Sequence, residues 1–219
     1  MKIIYIFGDS HSGMFRIEHS AKNYVPKQSM VKFIDRSSGV PTAYSIERHD
    51  EAVRKVLESI DWQPKDEMWF IFGEIDVRFH IFYHHQQLNI SLDRSIMSVV
   101  RNYISYVKKL RTEGYNIHIV STVPPQPNPS PFHWDPTYET LNPIRGAGIT
   151  VEDRVYITRK LNDELKKACD ENGIPFRDVY PYIVDPVTGC NIPEMTRDSM
   201  HYNYIGDIVI EKLRLEEEI

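Results

Sequence analysis

The 219-residue sequence predicts a single α/β domain, residues 1–219, built on a parallel sheet with helices on both faces. Three observations support this. Short apolar runs alternate with longer stretches of helical periodicity, the order that generates βαβ units. Met68-Trp69-Phe70-Ile71-Phe72 is apolar at every position, as a strand covered on both faces should be. The sequence carries no internal repeat, low-complexity tail or linker.

The elements follow in order. Residues 2–7 form the first strand, an apolar run stopped by Gly8-Asp9. Residues 30–34 supply a second strand. From Glu51 to Ile60, Val53, Val56, Leu57 and Ile60 recur at spacings of three and four, which predicts a helix. After the strand at 68–72, residues 92–113 form a long amphipathic helix, with Ile96, Val99, Val100, Tyr103, Ile104, Val107 and Leu110 as its buried stripe. Gly114 follows it as a helix-ending glycine. Residues 116–121 are the next strand, 151–171 a helix ended by Asn172-Gly173, 175–178 a short strand, and 202–217 the last helix.

Between Thr122 and Thr150 lies a proline-rich stretch too long for an ordinary strand-to-helix connection. It is either a packed surface loop or a lid over a ligand, because it leaves the carboxyl end of a strand. Phe132, His133, Trp134 and Tyr138 would supply its contact surface.

Composition narrows the function. The chain is 41% hydrophobic and 26% charged, enough apolar residue to build a core without disulfides or structural metal. A net charge of −5 with no basic stripe opposes nucleic-acid binding. Cys169 and Cys190 form no C-x-x-C pair, so zinc-ribbon and thioredoxin chemistry are not indicated. The first apolar run is too short for a signal peptide or membrane span, which predicts a cytoplasmic protein. His80, His84 and His85, near Glu74 and Asp76, have spacings a metal accepts on a helix, yet no H-E-x-x-H signature accompanies them. No metal and no cofactor are expected.

Two short segments carry chemistry. Phe7-Gly8-Asp9-Ser10-His11-Ser12 ends the first strand, where Ser10 is exposed near backbone N–H groups that can stabilise an oxyanion. Ser10 and Asp9 would equally serve as helix caps. Asp198-Ser199-Met200-His201 precedes the last helix. There His201 can act as a base for a serine hydroxyl, and Asp198, three residues earlier, can hold its other ring nitrogen. This segment too reads as an ordinary helix start.

Taken together, Gly-Asp-Ser on the first strand and Asp-x-x-His before the last helix resemble the first and last blocks of the SGNH (GDSL-like) hydrolase superfamily. The resemblance spans essentially the whole chain and implies a flavodoxin-like three-layer α/β/α sandwich. It implies Ser10 as nucleophile, His201 as general base and acid, and Asp198 as the orienting carboxylate. The family's second block centres on an oxyanion glycine, for which Gly39 in Ser38-Gly39-Val40 is the match. Its third block, Gly-x-Asn-Asp, reads here Gly73-Glu74-Ile75-Asp76. Ile75 cannot donate the hydrogen bond that the asparagine supplies, and losing one oxyanion donor costs about 3–4 kcal/mol in well-studied hydrolases.

Residues 73–81 are similar to a variant subgroup in which a Gly-Glu-Ile-Asp-x-Arg-x-His-Ile string replaces the third block. Its members are associated with bacterial or viral surface-glycan synthesis. Val123-Pro124-Pro125 and Arg159-Lys160-Leu161-Asn162 are similar to the same subgroup. Glu74, Asp76, Arg78 and His80 alternate with Ile75, Val77, Phe79 and Ile81. An extended segment would gather those polar groups into one wall of a site. Arg78 would then contact an oxyanion or a substrate anion, or else form an ion pair with Glu74 or Asp76.

The resulting expectation is a serine esterase acting on an acyl ester, such as an O-acetyl group, of a carbohydrate or small molecule. An O-acyltransferase using the same trio in glycan modification is the alternative. A non-catalytic carbohydrate-binding relative is the third reading.

Overall fold

The computed structural model describes residues 2–15, 23–24, 31–35, 42–127, 149–196 and 205–215. Its strands are β1 (Lys2–Gly8), β2 (Asn23–Tyr24), β3 (Val31–Asp35), β4 (Glu67–Ile71), β5 (Ile117–Val120) and β6 (Phe176–Arg177). Its α-helices are α1 (Asp50–Glu58), α2 (Ile81–Gln87), α3 (Leu92–Thr112), α4 (Val151–Asn172) and α5 (Gly206–Lys212). The sheet order is β2-β3-β1-β4-β5-β6. All pairings are parallel except that of β2, which runs antiparallel to β3 at one edge. Leaving β2 aside, the order is that of a flavodoxin-like sheet, with its switch point between β1 and β4.

Alternation along each strand explains the three layers. Tyr5, Phe7, Met68, Phe70, Ile117 and Ile119 face one core together with the buried stripes of α1, α3 and α4. Ile4, Ile6, Phe33, Trp69, Ile71 and Val120 face the other, against Met14 and Phe15 of the Ser10–Phe15 turn and Val209 and Ile210 of α5. The apolar run at 68–72 is thus apolar because consecutive residues serve different cores. Trp69 is fully buried between Phe15 and Phe33, with ring centroids 5.8 and 5.6 Å away. Burying such a ring stabilises the fold by about 2–3 kcal/mol. Its indole N–H donates to Glu67 Oε2 at 2.6 Å, so the polar end of the ring is satisfied. Arg177 and His118 complete that buried cluster by lying 3.2 Å from the Glu67 carboxylate.

Caps set the helix starts. Ser91 accepts from Arg94 N at 3.2 Å to open α3. Thr150 and Asp153 form a reciprocal capping box at the start of α4, with bonds of 3.0 and 2.9 Å. The last helix is seen as Gly206–Lys212, and residues 202–204 and 216–217 of the predicted span lie outside the described residues. No helix among the described residues is long and apolar enough to cross a membrane.

One expectation is corrected. The segment after β4 is not extended: it turns helical from Glu74, passes through a π turn at Asp76–His80 and continues into α2. Its polar residues are two apart, but they are also four apart in pairs, and the helical pairing prevails. Glu74 with Arg78 is an i,i+4 ion pair, and His80 Nδ1 lies 3.3 Å from Asp76 Oδ1 at the same spacing. Gly73 makes the turn possible. Its φ of +125° is closed to most side chains, and its carbonyl accepts from Val77 N at 2.9 Å to begin the helix.

Candidate active site

β1 is central in the sheet and β4 is its neighbour at the switch point, so the residues that leave both strands meet above the sheet. Gly8 stands opposite Ile71, and a Cβ on Gly8 would lie 2.5 Å from the Ile71 carbonyl oxygen. That close approach is why glycine precedes the Asp9-Ser10 step. Ser10 opens a short 3₁₀ turn and is exposed, whereas His11 and Ser12 behind it are buried. The Ser12 N–H donates to the Asp9 carbonyl at 3.1 Å and closes the turn.

A buried ionic cluster underlies this serine. Asp9 Oδ1 accepts from the His11 backbone N–H at 2.9 Å and lies 3.1 Å from His11 Nδ1. Glu74 Oε2, arriving from the end of β4, is 3.8 Å from the same ring nitrogen. Arg78 Nη2 is 2.8 Å from Glu74 Oε2, yet that oxygen has no aligned hydrogen bond. The Glu74–Arg78 contact is therefore a close ion pair rather than a directed bond. Arg78 also stacks over the Phe79 ring at 4.9 Å.

Burial opposes a charge on His11, but Glu74 and Asp9 outweigh it and push its pKa up to about 9. Burial also opposes the charge on Asp9, and His11 outweighs it, holding that carboxyl below its usual value. His11 is accordingly an imidazolium at neutral pH.

Asp9, His11 and Glu74 offer ligand atoms within 4.8 Å of one another, a spacing a metal ion could use. The imidazolium and the Arg78 guanidinium already supply the positive charge those carboxylates require. His80 and His84 do share a helix face, with rings stacked 6.3 Å apart. The His85 ring contacts the Ile90 carbonyl instead. Burial, aided by His80, lowers the His84 pKa.

The remaining predicted residues occupy distinct places. Asp76 is fully buried, and its two oxygens accept the backbone N–H groups of Ala43 at 2.7 Å and Tyr44 at 3.3 Å. It thereby anchors the chain that follows residues 36–41. Gly73 packs its backbone against Thr122 at the end of β5. Ile75 is half-buried and offers no hydrogen-bond donor from its side chain. Gly39, Asp198 and His201 lie outside the described residues, as do residues 128–148 of the proline-rich stretch.

Several residues here escaped the sequence reading. His11 and Asp9 had a signal, because they flank the candidate nucleophile. Asn162 of α4 carried only the resemblance of the Arg159-to-Asn162 segment, with no role attached. Its Oδ1 accepts from Thr122 N at 2.7 Å and its Nδ2 donates to Thr122 O at 2.9 Å, pinning the loop after β5. Arg154 had no signal at all, since a charged residue in a first helical turn ordinarily faces water. It is 6% exposed, and the charges of Glu74 and Arg78 act on it in opposite senses. Burial pulls its pKa down, and Cys190 and Glu74 only partly counter that.

No protein-family profile matches the chain. No curated protein matches it either. Solved structures do. A GDSL-like lipase from Bacteroides thetaiotaomicron VPI-5482 superposes with a TM-score of 0.57 at 15% identity, over 100% of this chain and 89% of its own. The psychrotrophic esterase EstA from Pseudoalteromonas sp. superposes with a TM-score of 0.54 at 13% identity, over 100% and 97%. The acetyl xylan esterase AlAXEase gives 0.52 at 15% identity, over 99% and 100%. At these identities the likeness is one of fold. The architecture that places Ser10 beside the β1–β4 switch point is the one GDSL-like lipases and esterases share.

Proposed function

We propose that this protein is an SGNH-type serine esterase that removes an acyl group, O-acetyl being the simplest, from a carbohydrate or small-molecule alcohol. The observation that carries the reading is Ser10 itself. It is exposed on the turn leaving the central strand, at the switch point, in a fold shared end to end with esterases. An acetyl xylan esterase among those structures supports a carbohydrate ester as substrate. The Gly73-to-Arg78 string supports a place in the variant subgroup.

In this reading Ser10 Oγ attacks the acyl carbon while His201 takes its proton, with Asp198 holding the imidazole in the working tautomer. The carbonyl oxygen gathers negative charge against the backbone N–H groups of Ser10 and Gly39. His201 then returns the proton to the departing alcohol, and water repeats the sequence on the acyl-enzyme. Asp76 is a positioning residue: by holding Ala43 and Tyr44 it steadies the chain just beyond Gly39. Gly73 and Glu74 shape the far wall, and Arg78 balances Glu74.

The test is hydrolysis of p-nitrophenyl acetate and butyrate by wild type, Ser10→Ala and His201→Ala. Turnover abolished in both variants supports the serine mechanism. Equal slow rates in all three proteins overturn the esterase reading, leaving a strict acyltransferase or a non-catalytic binder.

A further inference from the structure

Arg154 stands out among the buried polar groups. It sits in the first turn of α4 and is 6% exposed, and its Nε and Nη2 atoms have no hydrogen-bond partner among the described residues. A buried guanidinium left in that state destabilises the fold by several kcal/mol, so its retention calls for a compensating anion. The neighbouring carboxylate does not provide one. Glu74 is already engaged by Arg78 at 2.8 Å and faces His11 at 3.8 Å.

Among the described residues Arg154 has no ion-pair carboxylate, whereas Glu74 is paired with Arg78 and Asp9 with His11. Two more buried side-chain atoms have no hydrogen-bond partner among the described residues, Gln126 Nε2 and Asn191 Oδ1. Asn191 N donates to Pro125 O at 3.0 Å, which makes Gln126 and Asn191 neighbours, and Gly189, two residues before Asn191, packs against Val155, the residue after Arg154. A cationic fork beside one amide donor and one amide acceptor suits an anion that also carries hydroxyl groups.

We propose that Arg154 binds an anionic group, a carboxylate or a phosphate, on the sugar portion of the substrate, with Gln126 and Asn191 bonding its hydroxyls. The substrate class is then an acidic or phosphorylated carbohydrate ester rather than a neutral one. The assignment of this anion to an ester substrate rests on the esterase reading, but binding does not require turnover.

The full-length Ser10→Ala protein is therefore titrated calorimetrically with D-glucuronate, D-glucose 1-phosphate, inorganic phosphate and neutral D-glucose. The same titrations are repeated with Arg154→Met and Arg154→Lys added. At least one anionic probe should bind, about tenfold or more weaker in Arg154→Met, as the loss of a charge-assisted bond requires. Arg154→Lys should restore part of the affinity. Preference for glucuronate assigns a carboxylate, and preference for the two phosphates assigns a phosphate.

The ligand-free melting temperature of Arg154→Met should equal or exceed that of the parent, because an uncompensated buried charge has been removed. Anions that bind no better than glucose, or bind Arg154→Met as tightly as the parent, overturn the proposal. A clear fall in melting temperature for Arg154→Met also overturns it, since Arg154 would then be a structural ion-pair residue. The esterase reading stands or falls separately, on the neutral p-nitrophenyl esters.

Discussion

Replacing His11 by glutamine should remove a specific pH dependence from the stability of this protein. The folded-state pKa of His11 is about 9, raised above the usual 6.5 against the effect of burial by Glu74 and Asp9, with Arg78 acting in the opposite sense. A group whose pKa rises on folding binds its proton more tightly in the native state. Its contribution is fully present below about pH 6.5 and is lost as pH climbs through 9. The interval between 6.5 and about 9 corresponds to about 3 kcal/mol. In a protein of this length that is a melting-temperature change of about 6–12 °C. Wild type should thus lose stability between pH 6.5 and 9.5, beyond whatever its other groups contribute. His11→Gln should start lower at pH 6.5 and lack that component of the decline. Calorimetric melting across this range gives the two profiles, and NMR titration of the His11 Cε1–H resonance gives the pKa directly. A His11 resonance titrating near 6.5, or parallel profiles for the two proteins, would refute the ionic cluster as drawn.

Two further substitutions probe the scaffold of the site. Asn162→Leu removes both bonds to Thr122 and leaves a buried N–H and a buried C=O unpaired, so chemical denaturation should show a loss of about 2–4 kcal/mol. Gly8→Ala drives a methyl group to within 2.5 Å of the Ile71 carbonyl oxygen. Parting β1 from β4 should cost about 1–3 kcal/mol in the same assay and lower any Ser10-dependent ester hydrolysis, because the strand ends would separate beneath the nucleophile.

The order of strands and helices, the double-faced burial of residues 68–72 and the stripe of α3 are local periodicities, and the sequence by itself determined them. It also determined Ser10 as the exposed residue leaving β1, because Gly8-Asp9 halts an apolar run. The polar residues after β4 show where such reading stops. Spacings of two and four coexist in Glu74, Asp76, Arg78 and His80, and a local pattern cannot choose between an extended row and helical ion pairs. The choice fell to Gly73, whose positive φ and packing against Thr122 start a helix, and to partners remote in the chain such as Ala43 and Tyr44.

What only the tertiary structure decided is which charges meet. Glu74 reaches His11 because β4 lies beside β1, and Arg154 is withdrawn from water on a helix, α4, that packs against the turn at Asp76–His80. Sixty or more residues of chain separate each of these pairs. Burial and charge pairing are properties of the assembled sheet and its helices, and no spacing along the sequence encodes the dielectric around a side chain.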